Sequence, residues 1–138
     1  MLLDAAGLAS ADHPAADYFA MTLDQVFDVS FAHPDRFRID PAQLTSEQQA
    51  IAAGNRAALE VYGGRSMADP TLAARLAGLT VPTLVVWGEA DRMFTPAYGQ
   101  EYAAAIPGAD FRLVPDAGHL PQLEAPEAVL ALLAEALP

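Results

Sequence analysis

The sequence predicts an α/β fold with a partial parallel sheet of about three strands and flanking helices. Two apolar runs, 81–87 and 109–114, are each followed by a helical pattern, and Thr83–Val86 is continuously apolar, as a strand covered on both faces requires. The run Met1–Asp4 has the character of the end of a buried strand. Because strands that alternate with helices indicate a parallel sheet, we expect these three runs to share one sheet.

Composition and charge limit the class of protein. The chain has 138 residues, of which 53% are hydrophobic, and this is enough for one domain with a packed core. It carries 18 acidic and 7 basic residues and has a net charge of -11. Because a surface this acidic repels phosphate groups, we expect the chain to bind neither nucleic acid nor an anionic membrane.

Neither a metal site nor a targeting segment is predicted. The chain contains no cysteine, which excludes disulfides and thiolate chemistry and is compatible with the cytoplasmic location that we expect. His13, His33 and His119 are too scattered for a zinc motif. The first basic side chain is Arg36, whereas a signal peptide begins with a basic segment, and no apolar stretch is long enough to span a bilayer. We expect no cofactor.

The segment between the first run and the later strands is predicted to be helical. Apolar residues at three- and four-residue spacings predict a first helix over Pro14–Phe31. A second helix is expected to begin near Thr45, which has capping-box spacing with Gln48, and to end at Gly63–Gly64. A short helix is expected over Pro70–Leu76. The residues expected on the apolar side of the second helix are Ile51, Leu59, Val61 and Tyr62.

Two more helices are expected after the later strands. Thr95 has the position of a cap for the first of them, and Pro96 fits its first turn. The last helix is expected to begin near Pro126, with Glu127 beside its positive end. The residues expected to form its core stripe are Val129, Leu130, Leu132, Leu133 and Leu137.

The residues with catalytic potential come directly after the two later strands. Asp91 follows the first of these strands, in Gly88–Asp91, and His119 follows the second. Side chains beyond the carboxyl ends of neighbouring parallel strands converge on one crevice. There a carboxylate can orient an imidazole and stabilise its cation while the ring moves a proton for a serine-type nucleophile. Asp110 and Asp116 are weaker candidates for the acid, because one opens a strand and the other has a turn context.

The nucleophile itself is not found in the chain. No Gly-x-Ser-x-Gly turn, its expected setting, occurs anywhere in the 138 residues. Ser66 lies in a glycine-containing segment, but no strand is predicted before it, so we do not assign it this role. Trp87 is interpreted as a core residue, and Met93 and Phe94 fit a pocket wall and the core equally well.

Two segments resemble known motifs. Val81–Asp91 and Val114–Glu127 resemble the acid-bearing turn and the histidine loop of the α/β-hydrolase fold superfamily, and Leu2–Gly7 is similar to the strand that follows the nucleophile helix in that family. The resemblance spans the chain but covers only the second half of the family's fold. It implies that Asp91 is the triad acid and that His119 is the general base. Asp4 is the rival acid, because some members carry the acid after the strand that Asp4 ends.

The resemblance also implies a division into three regions. Residues 1–8 are the end of a core strand and a turn, 9–78 form a helical cap segment, and 79–138 form the carboxy-terminal part of the core with the acid and the histidine. The nucleophile and the oxyanion-hole donors would lie upstream of Met1. We therefore expect a fragment that is inactive by itself and that pairs with the missing amino-terminal half or with itself.

The function that the resemblance implies is hydrolysis of a carboxylic ester, or of a related acyl or carbon–carbon bond, in a small-molecule substrate. Two alternatives stay open. The chain is a non-catalytic binding module or a split half that needs a partner chain, or it comes from a lyase, an epoxide hydrolase or a peroxidase-like member of the same fold. An epoxide hydrolase would use cap tyrosines as acids, for which Tyr18 and Tyr62 are available.

Overall fold

The computed structural model describes residues 1–136, and Leu137, which was expected in the last core stripe, lies outside them. Within these residues the strands are β1 (Leu2–Leu3), β2 (Gly7–Leu8), β3 (Ala68–Asp69), β4 (Leu84–Gly88) and β5 (Asp110–Val114). The α-helices are α1 (Leu23–Ser30), α2 (Ser46–Gly63), α3 (Leu72–Leu76), α4 (Pro96–Ala104), α5 (Pro121–Glu124) and α6 (Pro126–Ala136).

Three of the strands form the predicted parallel sheet, which confirms the α/β fold class. Its order is β1-β4-β5, so β4 is the central strand. Leu3 pairs with Val86, and Val86 pairs in turn with Arg112 on the other side. The register brings the carboxyl ends of all three strands to one edge of the sheet, where Asp4, Asp91 and His119 follow them along the chain.

The central strand β4 is covered on both faces, as its continuous apolar run predicts. Trp87 has 0% of its surface exposed and packs with Tyr98 and Tyr102 of α4 on one face. Val86 points to the other face and packs with Val129 of α6. The prediction that Trp87 is a core residue is confirmed. Successive side chains of a strand point to opposite faces of the sheet, so Val86 and Trp87 contact different helices.

A second, two-stranded parallel ladder was not predicted. It joins β2 to β3, with Gly7 paired to Ala68 and Leu8 paired to Asp69. Two residues are too few to show a strand periodicity in the sequence. The ladder connects the residues that follow β1 to the residues that follow α2.

The first predicted helix is shorter than expected. The apolar spacing indicated Pro14–Phe31, but α1 covers only Leu23–Ser30. Thr22 adopts an extended backbone and forms a capping box with Gln25, so the helix begins there. Asp17 caps a separate turn of 3-10 helix, Tyr18–Ala20, in the preceding residues. Local caps at Asp17 and Thr22 therefore divide one apolar pattern into two elements.

The second helix begins as predicted, but its apolar side is not buried. Thr45 and Gln48 form the expected capping box at the start of α2. Val61 is 76% exposed and Tyr62 is 90% exposed, and no residue of α2 is buried. Arg56 connects α2 to the rest of the chain by donating to the Tyr18 and Phe19 carbonyls. The predicted burial of this apolar side is wrong, because the capping box and the Arg56 contact, rather than an apolar face packed against the core, stabilise α2.

The remaining predicted helices are present, but the short helix α5 was not predicted and one residue expected in the last core stripe is exposed. The Thr95 hydroxyl accepts from the Tyr98 N–H at the start of α4, and α6 begins at Pro126. Val129 is buried, but Leu130 is 62% exposed, so it does not belong to the core stripe. Within residues 1–136 no helix combines the length and the apolar character that crossing a membrane requires.

Candidate active site

Asp91 and His119 meet at the carboxyl edge of the sheet. Asp91 lies in the loop after β4, and His119 lies in the loop after the neighbouring strand β5. Asp91 Oδ2 and His119 Nδ1 are 2.9 Å apart, which is a hydrogen-bond distance. The crevice at the ends of parallel strands thus holds an acid in direct contact with an imidazole.

The Asp91 carboxyl is held by hydrogen bonds at both oxygens. Its Oδ1 accepts from the backbone N–H groups of Met93, at 2.8 Å, and Phe94, at 3.0 Å. Its exposed fraction is 2%. Because a carboxylate only accepts, the proton of the bond to His119 belongs to Nδ1 of the ring. In a neutral ring with this tautomer, Nε2 carries the lone pair that a general base needs.

The carboxyl end of α1 fixes both loops. The last carbonyls of a helix have no partner within the helix. Here the Val29 carbonyl accepts from the Arg92 N–H at 3.1 Å, and the Ser30 carbonyl accepts from the His119 N–H at 2.7 Å. The Arg92 guanidinium also donates to the Asp28 carbonyl. One helix end therefore sets the positions of the acid loop and of the histidine loop together.

Two glycines allow the loops to approach each other. A Cβ built at Gly88 would lie 1.9 Å from the Gly118 carbonyl oxygen, and one at Gly118 would lie 2.4 Å from the Ser30 carbonyl oxygen. Both clashes are with backbone atoms, which cannot rotate away as the end of a side chain can. Only a hydrogen in place of Cβ fits at these positions.

Glu124 contributes to the site in a way that the sequence did not predict. Its Oε2 accepts from the Gly118 N–H at 2.6 Å and from the Ala32 N–H at 3.2 Å. Its Oε1 accepts from the His33 N–H at 3.1 Å. The carboxyl therefore joins Gly118, which precedes His119, to the segment that leaves α1. The sequence holds no local signal for this, because two of the three donors lie more than 90 positions away.

Replacing Glu124 with alanine is expected to lower the free energy of unfolding by about 3 kcal/mol, because three backbone N–H groups lose their acceptor. Urea unfolding of the chain measures this change. Glu127→Ala is the matched control: Glu127 is exposed on α6, and we expect its removal to cost less than about 1 kcal/mol. Equal effects of the two variants would contradict the role of Glu124.

The rival acid Asp4 lies in the same site but does not bind the imidazole through a hydrogen bond. Its Oδ1 accepts from the Gly88 N–H at 2.9 Å. Burial raises the pKa of Asp4 to about 8, and the nearby Asp91 adds to this, whereas the Gly88 hydrogen bond acts in the opposite direction. Of the two carboxyls, Asp91 is the one that contacts His119 Nδ1.

Within residues 1–136, the side chains of Asp4, Asp91 and His119 also lie close enough together to bind a metal ion. One oxygen each from Asp4 and Asp91 and a ring nitrogen of His119 lie within 4.8 Å of one another. The hydrogen bond between Asp91 and His119 joins two of these three groups. We interpret the group as an acid–base site and keep the absence of a metal as an expectation.

The weaker candidates are engaged elsewhere. Asp116 forms a hydrogen bond of 2.8 Å with His33 Nε2, and Asp110 forms an ion pair of 2.8 Å with Arg112. Tyr18 lies under the Arg56 guanidinium, at 4.7 Å from its ring centre.

A cavity of about 730 Å³ lies beside the site and is lined mainly by residues between 8 and 17 and between 65 and 70. Phe94 forms part of its wall and packs on the His119 ring, with 5.4 Å between the ring centres. Phe94 is also buried, so both interpretations of this residue hold at once. Ser66 and Met67 also line the cavity, and Ser66 lies between α2 and β3 rather than in a strand-to-helix turn.

The alpha/beta hydrolase family profile matches residues 2–132, and the chain belongs to this family. A curated relative, "Putative non-heme bromoperoxidase BpoC" of Mycobacterium tuberculosis, is 48% identical over 52 residues, which are 37% of this chain and 20% of the relative. The match therefore spans about a fifth of that protein's length.

Solved structures show the same fold. An esterase of Thermogutta terrifontis is 24% identical, with a TM-score of 0.64 over 97% of this chain and 53% of the esterase. Est816, described as an N-acyl homoserine lactone degrading enzyme, is 29% identical, with a TM-score of 0.53 over 83% of this chain and 46% of that chain. The chain spans about half the length of these structures.

Proposed function

We propose that this chain supplies the acid and the general base of a hydrolase that cleaves carboxylic esters or related acyl bonds. The observation that carries the proposal is the 2.9 Å hydrogen bond between Asp91 Oδ2 and His119 Nδ1. It lies at the edge of the sheet where ligands of α/β proteins bind. Family membership and the similarity to an esterase and to an N-acyl homoserine lactone degrading enzyme support the same class of reaction.

His119 would move the protons of the reaction. Its Nε2 accepts the proton of the nucleophile's hydroxyl as the oxygen attacks the carbonyl carbon, and the imidazolium gives that proton to the departing alcohol. In the second half, Nε2 takes a proton from the water that attacks the acyl carbon. The imidazolium then returns this proton to the nucleophile's oxygen as the bond to the acyl group breaks and the acid leaves. Asp91 holds Nδ1–H throughout and stabilises the cation.

The nucleophile in this proposal comes from a segment outside the 138 residues. No Gly-x-Ser-x-Gly sequence occurs in the chain. The chain by itself is therefore expected to be inactive, since the oxyanion donors would be missing as well. In the complete protein, residues 9–78 would act as the cap, and the cavity beside Phe94 would receive part of the substrate.

The test starts from the coding sequence before Met1. We expect an open reading frame that continues upstream of Met1 and encodes a Gly-x-Ser-x-Gly sequence. The complete protein that it encodes should hydrolyse short-chain p-nitrophenyl esters. The 138-residue chain is the control and should show no activity. A stop codon directly upstream would instead favour a split half, and co-purification of a partner carrying that motif would identify the other half. A complete product with no hydrolase activity would contradict the proposal.

A second candidate is a peroxidase-like activity. It is favoured by the 48% identity to the bromoperoxidase relative, although this match covers only 52 residues. Bromination of a dye by the complete product, with peroxide and bromide present, tests this candidate directly. If the rate of bromination exceeds the rate of ester hydrolysis, the peroxidase-like hypothesis replaces the esterase hypothesis. Asp91 and His119 keep their proposed roles in both.

A further inference from the structure

Asp4 is a buried carboxyl with one oxygen that lacks a hydrogen-bond donor. Its exposed fraction is 6%, and its Oδ1 accepts from the Gly88 N–H. Its Oδ2 is buried as well, and no donor from residues 1–136 reaches it. Buried polar atoms in folded proteins nearly always have a partner. This oxygen therefore requires an explanation that the role of Asp91 does not provide.

The neighbouring Asp91 carboxyl already has a donor at each oxygen. The Met93 and Phe94 N–H groups point at Oδ1, and the His119 Nδ1–H points at Oδ2. An oxygen of Asp4 lies within 4.8 Å of an oxygen of this carboxyl, so the two acids are neighbours. Two adjacent buried carboxyls cannot both ionise without strong repulsion. Since the N–H donors stabilise the charge on Asp91, the proton belongs on Asp4.

We propose that Asp4 is protonated at neutral pH and donates its Oδ2–H to the Asp91 carboxylate, which makes Asp4 a positioning residue for the Asp91–His119 pair. The positioning role rests on the proposed function, whereas the protonation of Asp4 rests on the geometry alone. The proton gives the orphan oxygen a partner and removes the repulsion between the two acids. It also keeps Asp91 facing the imidazole.

Electrostatics agree with this assignment. The titratable groups that face Asp4 are Asp91 and His119. Burial is the main reason that the pKa of Asp4 is raised from 3.8 to about 8; the Gly88 hydrogen bond lowers this pKa, and the neighbouring Asp91 contributes to the increase. A carboxyl with this pKa holds its proton at neutral pH and releases it under mildly alkaline conditions.

The backbone at Asp4 suggests which variants are informative. Its φ is +41°, in the left-handed region that most side chains avoid but that asparagine, aspartate and glycine tolerate. Asp4→Asn keeps an oxygen for the Gly88 N–H and offers an amide donor to Asp91, but it cannot titrate. Asp4→Gly removes the side chain without straining the backbone. Exposed Asp12→Asn is the matched control for the loss of one carboxyl.

Carboxyl NMR of the chain labelled with ¹³C-aspartate tests the protonation directly. We expect one buried carboxyl that is protonated at about pH 6 and titrates near pH 8, together with a shift of the His119 ring signals. Asp4→Asn should abolish this step, and Asp12→Asn should leave it in place. Titration of the Asp4 carboxyl near its ordinary pKa of 3.8 would overturn the proposal.

Unfolding measurements give an independent readout. The folded chain holds this proton up to about pH 8, whereas the unfolded chain releases it near 3.8. The contribution of Asp4 to stability is therefore fully present below the unfolded pKa and is lost as the pH rises through the folded pKa. We expect the urea midpoint to decrease more between about pH 5 and pH 8 in the unmodified chain than in Asp4→Asn. Parallel pH curves would contradict the proposal.

Kinetics of the complete protein separate positioning from binding. Asp4→Gly is expected to lower kcat by about 10- to 100-fold with KM unchanged, and Asp4→Asn should recover most of this turnover. The alkaline decrease in kcat near pH 8 should be present in the unmodified protein and absent in Asp4→Asn. An inactive complete protein whose Asp4 still titrates near pH 8 would reject the proposed function but support the protonation. An active protein that is indifferent to Asp4→Gly would overturn the positioning role.

Discussion

His119→Ala in the complete protein is expected to lower kcat for ester hydrolysis by about 10⁴-fold, because the variant removes the proposed general base. Nδ1 is hydrogen-bonded to Asp91, so in the proposed mechanism Nε2 is the atom that would act as the base. KM should change little. Steady-state hydrolysis of a p-nitrophenyl ester measures both constants.

Asp91→Asn is expected to have an effect of the same order for a different reason. The asparagine amide can donate to the ring, which would leave the proton on Nε2 and remove the base. Asp110→Asn is the matched control, since Asp110 lies at the opposite end of β5 and pairs with Arg112. Normal turnover in Asp91→Asn, or an equal loss in Asp110→Asn, would show that the acid has been assigned wrongly.

Gly88→Ala is expected to destabilise the chain by about 3 kcal/mol or more, because the new Cβ would clash with backbone atoms. It would lie 1.9 Å from the Gly118 carbonyl oxygen and 2.6 Å from the Ala117 carbonyl oxygen. Relief requires the histidine loop to move away from β4, which would also break the contact between His119 and Asp91. Urea unfolding gives the free energy, and the His119 ring signals in NMR report the loop.

Gly54→Ala is the control for this change. Gly54 lies in the middle of α2, and a Cβ there meets nothing within 4 Å. Alanine has the higher helix propensity, so we expect this variant to be more stable by about 1 kcal/mol. If Gly88→Ala were tolerated as well as Gly54→Ala, the close packing of the loops that carry Asp91 and His119 would be contradicted.

The main features of the fold and the acid–imidazole contact could be predicted because they depend on regular patterns. The continuous apolar run of β4 fixes a strand buried on both faces, and parallel neighbours end at the same edge. Asp91 and His119 follow such strands directly, so their meeting requires little beyond the order of the sheet. The capping pair Thr45 and Gln48 is equally local, and it placed the start of α2 correctly.

The features that were missed depend on contacts between distant segments. Glu124 binds N–H groups of the residues that leave α1, and no local sequence pattern reports such a contact. The exposure of Tyr62 depends on whether another element covers α2, which helical periodicity does not reveal. The relation between Asp4 and Asp91 required the register of β1 against β4.

We propose that Asp91 and His119 activate a nucleophile at the carboxyl edge of the sheet. The most direct test is a structure of the complete protein after reaction with a serine-directed phosphonate. We predict a phosphonylated side chain about 3 Å from His119 Nε2, with the Asp91–Nδ1 hydrogen bond kept. A phosphonate attached to a residue far from His119, or an imidazole turned away from Asp91, would contradict the claim.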